Sequence, residues 1–142
     1  MSAANRRRGA DAERAVVNYL RQWWPDTRRY LAGDGRQPGD LDWHPLICCE
    51  VKDVARSAIP TWCRQAVAEA PEGTVPVVVR RTRGAPDVGE WMCWYPERAV
   101  RAGGVLVGPI TARYWGRVNE AWWMSEPFDV FVERVRQIDE AS

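Results

Sequence analysis

The sequence predicts an α/β domain, and three observations carry that prediction. Val16, Val17, Leu20, Trp23 and Trp24 fall at i, i+1, i+4, i+7 and i+8, the spacing of one apolar helix face. Short apolar runs bounded by turn residues, "LICCEVK" (46–52), "TVPVVVRR" (74–81) and "WMCWY" (91–95), read as strands. Phe128, Phe131, Val132, Val135 and Ile138 then give a second helical stripe at the C-terminus. The 142 residues suit one ordinary domain.

The elements follow in order. Residues 1–8 are expected to be a basic flexible N-terminus, with Arg6, Arg7 and Arg8 just ahead of the first helix. That helix runs from about Gly9 to Pro25, which ends it. "RRYLAG" (28–33) reads as a short strand and "GDGRQPG" (33–39) as a turn-rich loop. "DLDW" (40–43), a turn at His44-Pro45, and "LICCEVK" read as a β-hairpin. On its second strand Leu46, Cys48, Glu50 and Lys52 share one face, while Ile47, Cys49 and Val51 share the other and pack on helices. Pro60 suits the first turn of a second helix, with Ser57 or Ile59 near its cap. Two strands, 74–81 and 91–95, complete the order αβββαββ. Residues 9–95 form the core. Residues 96–142 are a Trp-rich extension, part of the same domain or of a dimer interface. In it "GVLVG" (104–108) suits a strand, and Ser125-Glu126-Pro127 reads as a helix start.

Net charge is +1, which selects no partner. Its distribution is uneven: residues 1–85 hold 14 basic and 10 acidic side chains, and residues 86–142 hold 6 and 9. The basic excess favours a polyanion near the first half. The four cysteines form no Cys-x-x-Cys pair and His44 is the single histidine, so a structural zinc site is not expected. No apolar run approaches the ~20 residues of a membrane span, and the N-terminus lacks a signal-type apolar region. The expectation is a cytoplasmic protein with reduced thiols and no membrane contact.

The chemistry concentrates at "ICCEVKD". Lys52 is the chain's one lysine beside nineteen arginines. The hairpin brings Asp40, after Pro38-Gly39, towards Glu50. Two carboxylates meeting at strand ends repel unless a proton or a cation separates them. Their hard oxygens suit Mg²⁺ or Mn²⁺. Lys52, one pleat from Glu50 on the same face, can hold or deprotonate a water and stabilise charge on a phosphate under attack. The plainer reading of Glu-x-Lys is a surface salt bridge. Against it stand the sole lysine, since a planar, permanently charged guanidinium does not replace an exchanging ammonium, and Glu13, a carboxylate on the apolar side of the first helix. Asp42 shares a face with Asp40 and is the alternative ligand; the Pro-Gly turn favours Asp40. His44 reads as a turn residue with nothing nearby to orient it as a base.

Pro38-Gly39-Asp40 followed by Glu50-Val51-Lys52 resembles the PD-(D/E)xK nuclease signature, and Gly9 to Glu13 resembles that superfamily's helix-borne glutamate motif. Arg7-Arg8-Gly9, Gly39-Asp40, Glu50-Val51-Lys52, Gln65, Val77 to Arg81 and Gly89 to Trp91 together resemble archaeal, phage and prophage Holliday-junction-resolvase-like endonucleases. The resemblance spans about residues 6–95. It implies a restriction-endonuclease-like fold, a mixed central β-sheet flanked by helices with an αβββαβ core. It further implies Mg²⁺-dependent cleavage of branched DNA by a homodimer. Asp40 and Glu50 would be metal ligands, Lys52 would position the attacking water, and Glu13 would complete the metal site or hold one of its waters. Gln65 would be an auxiliary residue, its alternative being an ordinary exposed helix glutamine. Arg6, Arg7, Arg8, Arg28, Arg29, Arg36, Arg80, Arg81 and Arg83 would grip DNA, or are solvated surface charges. The nine tryptophans are expected in the core or an interface, with Trp122 and Trp123 the interface candidates. A restriction or repair nuclease on duplex or flap DNA, and a non-catalytic DNA-binding module, are the alternatives.

Overall fold

A computed structural model of the chain describes residues 2–30, 39–97, 113–118 and 121–141. Within them seven strands form one mixed, open sheet in the order β1-β2-β3-β4-β5-β7-β6. The strands are β1 (Arg28–Arg29), β2 (Leu41–Asp42), β3 (Ile47–Lys52), β4 (Val75–Arg80), β5 (Met92–Pro96), β6 (Arg113–Val118) and β7 (Ala121–Pro127). The helices are α1 (Ala3–Leu20), α2 (Ile59–Glu69) and α3 (Phe128–Ala141). Neighbouring strands pair antiparallel except β3 and β4, which run parallel because α2 carries the chain back between them.

The alternation along β3 decides the layers. Ile47, Cys49 and Val51 join Val16, Val17 and Leu20 of α1 and Phe128, Phe131 and Val135 of α3 in the larger core. The opposite face carries α2, whose Trp62, Cys63 and Ala66 pack with Val78, Trp94 and Trp123. The hairpin and the apolar face expected from the sequence are present, with Ile47 N–H donating to His44 O at the turn. β3 and β4 are buried along nearly their whole length, as strands covered on both faces must be.

Four expectations are corrected. Residues 3–8 are helical: Ser2 caps α1, its side chain accepting from Asn5 N–H, so the helix starts well before Gly9. Ala58, with no side-chain cap, occupies the N-cap of α2, one residue after Ser57, and Pro60 sits in the first turn. Residues 125–127 end β7, and α3 begins directly at Phe128; pairing of Met92 with Pro127 holds that stretch extended. Trp123 is fully buried in the α2-side core, which removes it as an interface candidate, while Trp122 is 47% exposed. The proposed strand at 104–108 lies outside the described residues. Among the described residues, no helix is long and apolar enough to cross a membrane, and all four cysteines are free and buried.

Two buried polar groups anchor the C-terminal half. Arg134 of α3 makes a two-pronged contact with Glu126 of β7, 3.0 Å to Oε1 and 3.1 Å to Oε2. Tyr95 O–H donates to the same Oε1 at 2.9 Å. His44 is also tied down: Leu46 N–H donates to Nδ1 at 3.1 Å and Nε2 meets Asp139 Oδ1 at 2.8 Å. Asp139 therefore orients the ring, contrary to the expectation that nothing would. With both nitrogens engaged, His44 is a staple between the hairpin turn and α3, not a free base.

Candidate active site at the ends of β2 and β3

Gly39 builds the entry to the site. Its φ is +74°, and a Cβ there would meet Cys49 O at 2.7 Å, so the position needs glycine. This close approach lets Asp40 N–H donate to Cys49 O at 2.9 Å. Where the β2–β3 backbone ladder stops, the Asp40 side chain replaces it: Val51 N–H donates to Asp40 Oδ2 at 2.7 Å. One Asp40 oxygen is thereby fixed and the carboxylate is aimed at β3. Asp42 points elsewhere and pairs with Arg28 at 3.2 Å. The structure thus brings Asp40, and not Asp42, to Glu50.

Glu50 is the strained member. It projects from the α2 face of β3 and is 7% exposed, with Oε1 buried and without a hydrogen-bond partner. Its carboxyl lies within hydrogen-bond reach of Glu69 and Asp40. Burial, then the Glu69 contact, then Asp40 push its pKa up to about 10. Burial, with Glu50 and Glu69 adding to it, likewise pushes the Cys48 thiol up to about 11. Glu13 sits on the other flank. Burial and then Asp40 raise its pKa, against the opposing pull of Arg29, which donates to Glu13 Oε2 at 3.0 Å. Asp40 is thus the junction of the cluster, close to both Glu13 and Glu50.

Lys52 follows Glu50 by one pleat. Its Nζ lies 6.0 Å from the centroid of the Trp62 ring, and it forms no ion pair with a carboxylate among the described residues. The ammonium therefore stands over Trp62, on the same strand face as Glu50, and is not neutralised by an ion pair. Arg80 shares the Trp62 ring at 5.7 Å and donates to Val54 O and Ala55 O, which shapes the segment after β3. Gln65 is exposed on α2. It stands one turn before Glu69, on the same stripe.

Beyond the strand ends lies an open groove of about 1160 Å³. Arg8, Arg80, Arg81 and Arg83 line it, with Asp53 as the single carboxylate and Trp94 in the wall. Arg81 meets Asp53 at 3.3 Å and stacks on Trp91 at 5.4 Å. Arg6 and Arg7 are exposed on the first turns of α1. Arg28 and Arg29 are given to Asp42 and Glu13, and Arg36 lies outside the described residues.

Do these residues fit a metal ion? The orphaned Glu50 oxygen and the Asp40 carboxylate supply hard oxygen donors in contact, a chemistry suited to Mg²⁺ or Mn²⁺. Among the described residues, however, no three His, Cys, Asp or Glu side chains form a ready-made cage. The fit is thus to a pair with flanking acids. Glu69 went unread in the sequence although its signal was present: it follows Trp62 by seven residues and Ala66 by three, on the stripe that packs under β3. Comparison of the chain with family models, with curated proteins and with solved structures finds no match.

Proposed function

We propose that this chain is a metal-dependent DNA endonuclease of the PD-(D/E)xK type, with a restriction-endonuclease-like fold, acting on branched DNA such as a four-way junction. One observation carries the reading. Asp40 and Glu50, which is buried with one unpartnered oxygen, meet at the ends of paired strands, Lys52 stands on the same strand face as Glu50, and an arginine-lined groove lies past the end of β3 at Asp53. In this reading Asp40 and Glu50 hold a divalent cation and Glu13 supports Asp40 from α1. The cation, when bound, supplies Lewis-acid stabilisation of the charge that builds on the scissile phosphate. Lys52 orients the attacking water, and its ammonium, free of a carboxylate partner, faces the developing negative charge. Arg8, Arg80, Arg81 and Arg83 neutralise backbone phosphates on either side. Gln65 flanks the site from α2. Because a junction is two-fold symmetric, a homodimer would place two such sites for paired cuts.

The test is a nicking assay with Mg²⁺ on a four-way junction, a flap and a linear duplex, comparing the wild type with Lys52→Ala. Cleavage by the wild type, with the junction preferred and the variant slowed at least ~100-fold, is expected. Equal cutting by the two proteins would refute the assigned site. Preference for flap or duplex would turn the reading to a repair or restriction nuclease.

A further inference from the structure

We propose that the arginine-lined groove takes a single-stranded stretch of DNA, its phosphates on the arginines and its unpaired bases against Val54, Pro86 and Met92. The inference rests on the DNA reading above and narrows which DNA enters; it needs neither a metal nor the acidic pair. At about 1160 Å³ the open groove exceeds the ~300–1,000 Å³ of a small-ligand cleft, so it suits a chain. Four arginines against Asp53 give it the charge to hold a polyanion. Among the described residues, Arg81 alone of the four meets a carboxylate, Asp53 at 3.3 Å. Arg8 is bonded to the neutral Asn5, and Arg80 to two backbone carbonyls.

Charge alone does not separate a single strand from a duplex; the apolar lining does. Val54 is 49% exposed, Ala55 and Pro86 are exposed and Met92 is half-buried, and all four line the groove. A duplex turns phosphates and sugars outward and keeps its base faces stacked inside, so it offers such a lining little to cover it. An unpaired strand offers apolar base faces between its charges. The lining is also held in place. Arg80 Nη2 donates to Val54 O and Ala55 O, each at 3.2 Å, and so fixes the segment that carries the exposed valine. Trp91 Nε1–H donates to Ala85 O at 3.0 Å and Ala85 N–H to Thr82 O at 3.2 Å. Gly84 takes a φ of +80° and closes the turn that carries Arg83 and leads into Pro86. Tethering both segments lowers the ordering cost of binding.

Fluorescence anisotropy of the full chain in EDTA tests this without metal or cleavage. The probes are a dye-labelled oligothymidylate, an abasic deoxyribose-phosphate strand of equal length and a duplex of equal length. The proteins are the wild type, Val54→Ser, Arg83→Gln and the control Val67→Ser, 40% exposed and outside the groove, each checked for folding by circular dichroism. The oligothymidylate is expected to bind at least ~10-fold tighter than either other probe. Val54→Ser should weaken its binding ~3-fold or more and leave the other two probes unchanged. Arg83→Gln should weaken all three and lower the salt slope by ~1, and Val67→Ser should change none. A duplex or an abasic strand bound as tightly as the oligothymidylate, or a silent Val54→Ser, would overturn the inference and leave DNA binding standing. If no probe binds at low salt, the DNA reading falls and this inference with it.

Discussion

Replacing Glu50 with Gln should stabilise the protein at neutral pH. The Glu50 carboxyl is buried with an unpartnered oxygen beside two other acids, and its pKa is raised from 4.5 to about 10. A raised folded-state pKa contributes stability that is complete below the unfolded value, near 4.5, and is lost as pH climbs towards 10. Within that window each pH unit costs ~1.36 kcal/mol. At pH 7 the folded chain has therefore forgone about 3 kcal/mol relative to acid. An uncharged glutamine escapes this loss, and its amide can donate to Asp40 or Glu69. With ~2.1 cal/mol/K of unfolding entropy per residue over 142 residues, the gain corresponds to about 10 °C in Tm. The assay is thermal unfolding followed by circular dichroism in EDTA at pH 5, 6, 7 and 8. EDTA prevents a bound metal from stabilising the wild type by mass action. The variant's advantage should be small at pH 5 and widen steadily with pH. A variant less stable than the wild type at pH 7, by a margin that does not change with pH, would refute the account of Glu50 as a strained acid.

Two further outcomes are expected. Glu126→Ala strands the Arg134 guanidinium, 5% exposed, and should cost ~3–5 kcal/mol in urea unfolding, whereas Glu126→Leu with Arg134→Met should recover most of that loss. Gly39→Ala forces a Cβ to 2.7 Å from Cys49 O at a φ of +74°; it should cost ~1–3 kcal/mol and displace Asp40, read by unfolding and by weakened Mn²⁺ binding.

What the sequence made legible was local. The period-two pattern of "LICCEVK" places Glu50 and Lys52 on one face of β3, and β3 is found so. The 3.6-residue stripes place α1 and α3. What stayed hidden depends on distant pairing. Asp40 separates from Asp42 only through the Gly39 approach to Cys49 and the Val51 N–H that meets the Asp40 side chain. β7 shows no clean alternation of apolar and polar residues, because both its faces are covered: Trp123 packs in the α2-side core and Met124 in the core opposite. Ser125-Glu126-Pro127 has the composition of a helix start, but pairing with β5 outweighs that local preference. Asp139 reaches His44 across 95 positions of chain, a distance over which no motif reads.

The distribution of unfavourable features supports a functional end to this sheet. Elsewhere two buried titratable groups are matched, Glu126 by Arg134 and Tyr95 and His44 by Asp139 and Leu46 N–H, while the indole N–H groups of Trp43 and Trp94 are buried without a partner. Around the ends of β2 and β3 the pattern reverses. Glu50 keeps an unpartnered oxygen, Gly39 holds a left-handed backbone where a Cβ would clash, unlike Gly73 and Gly84, and Lys52 has no carboxylate partner among the described residues. Helix electrostatics point the same way. Glu69 stands at the negative end of α2, against the helix dipole. A chain selected for stability alone would remove such costs by single substitutions. The costs at Asp40 and Glu50 are accounted for if a cation meets that pair while an anion meets the groove arginines. That is the charge pattern required by a phosphate backbone lying across a metal-binding carboxylate cluster.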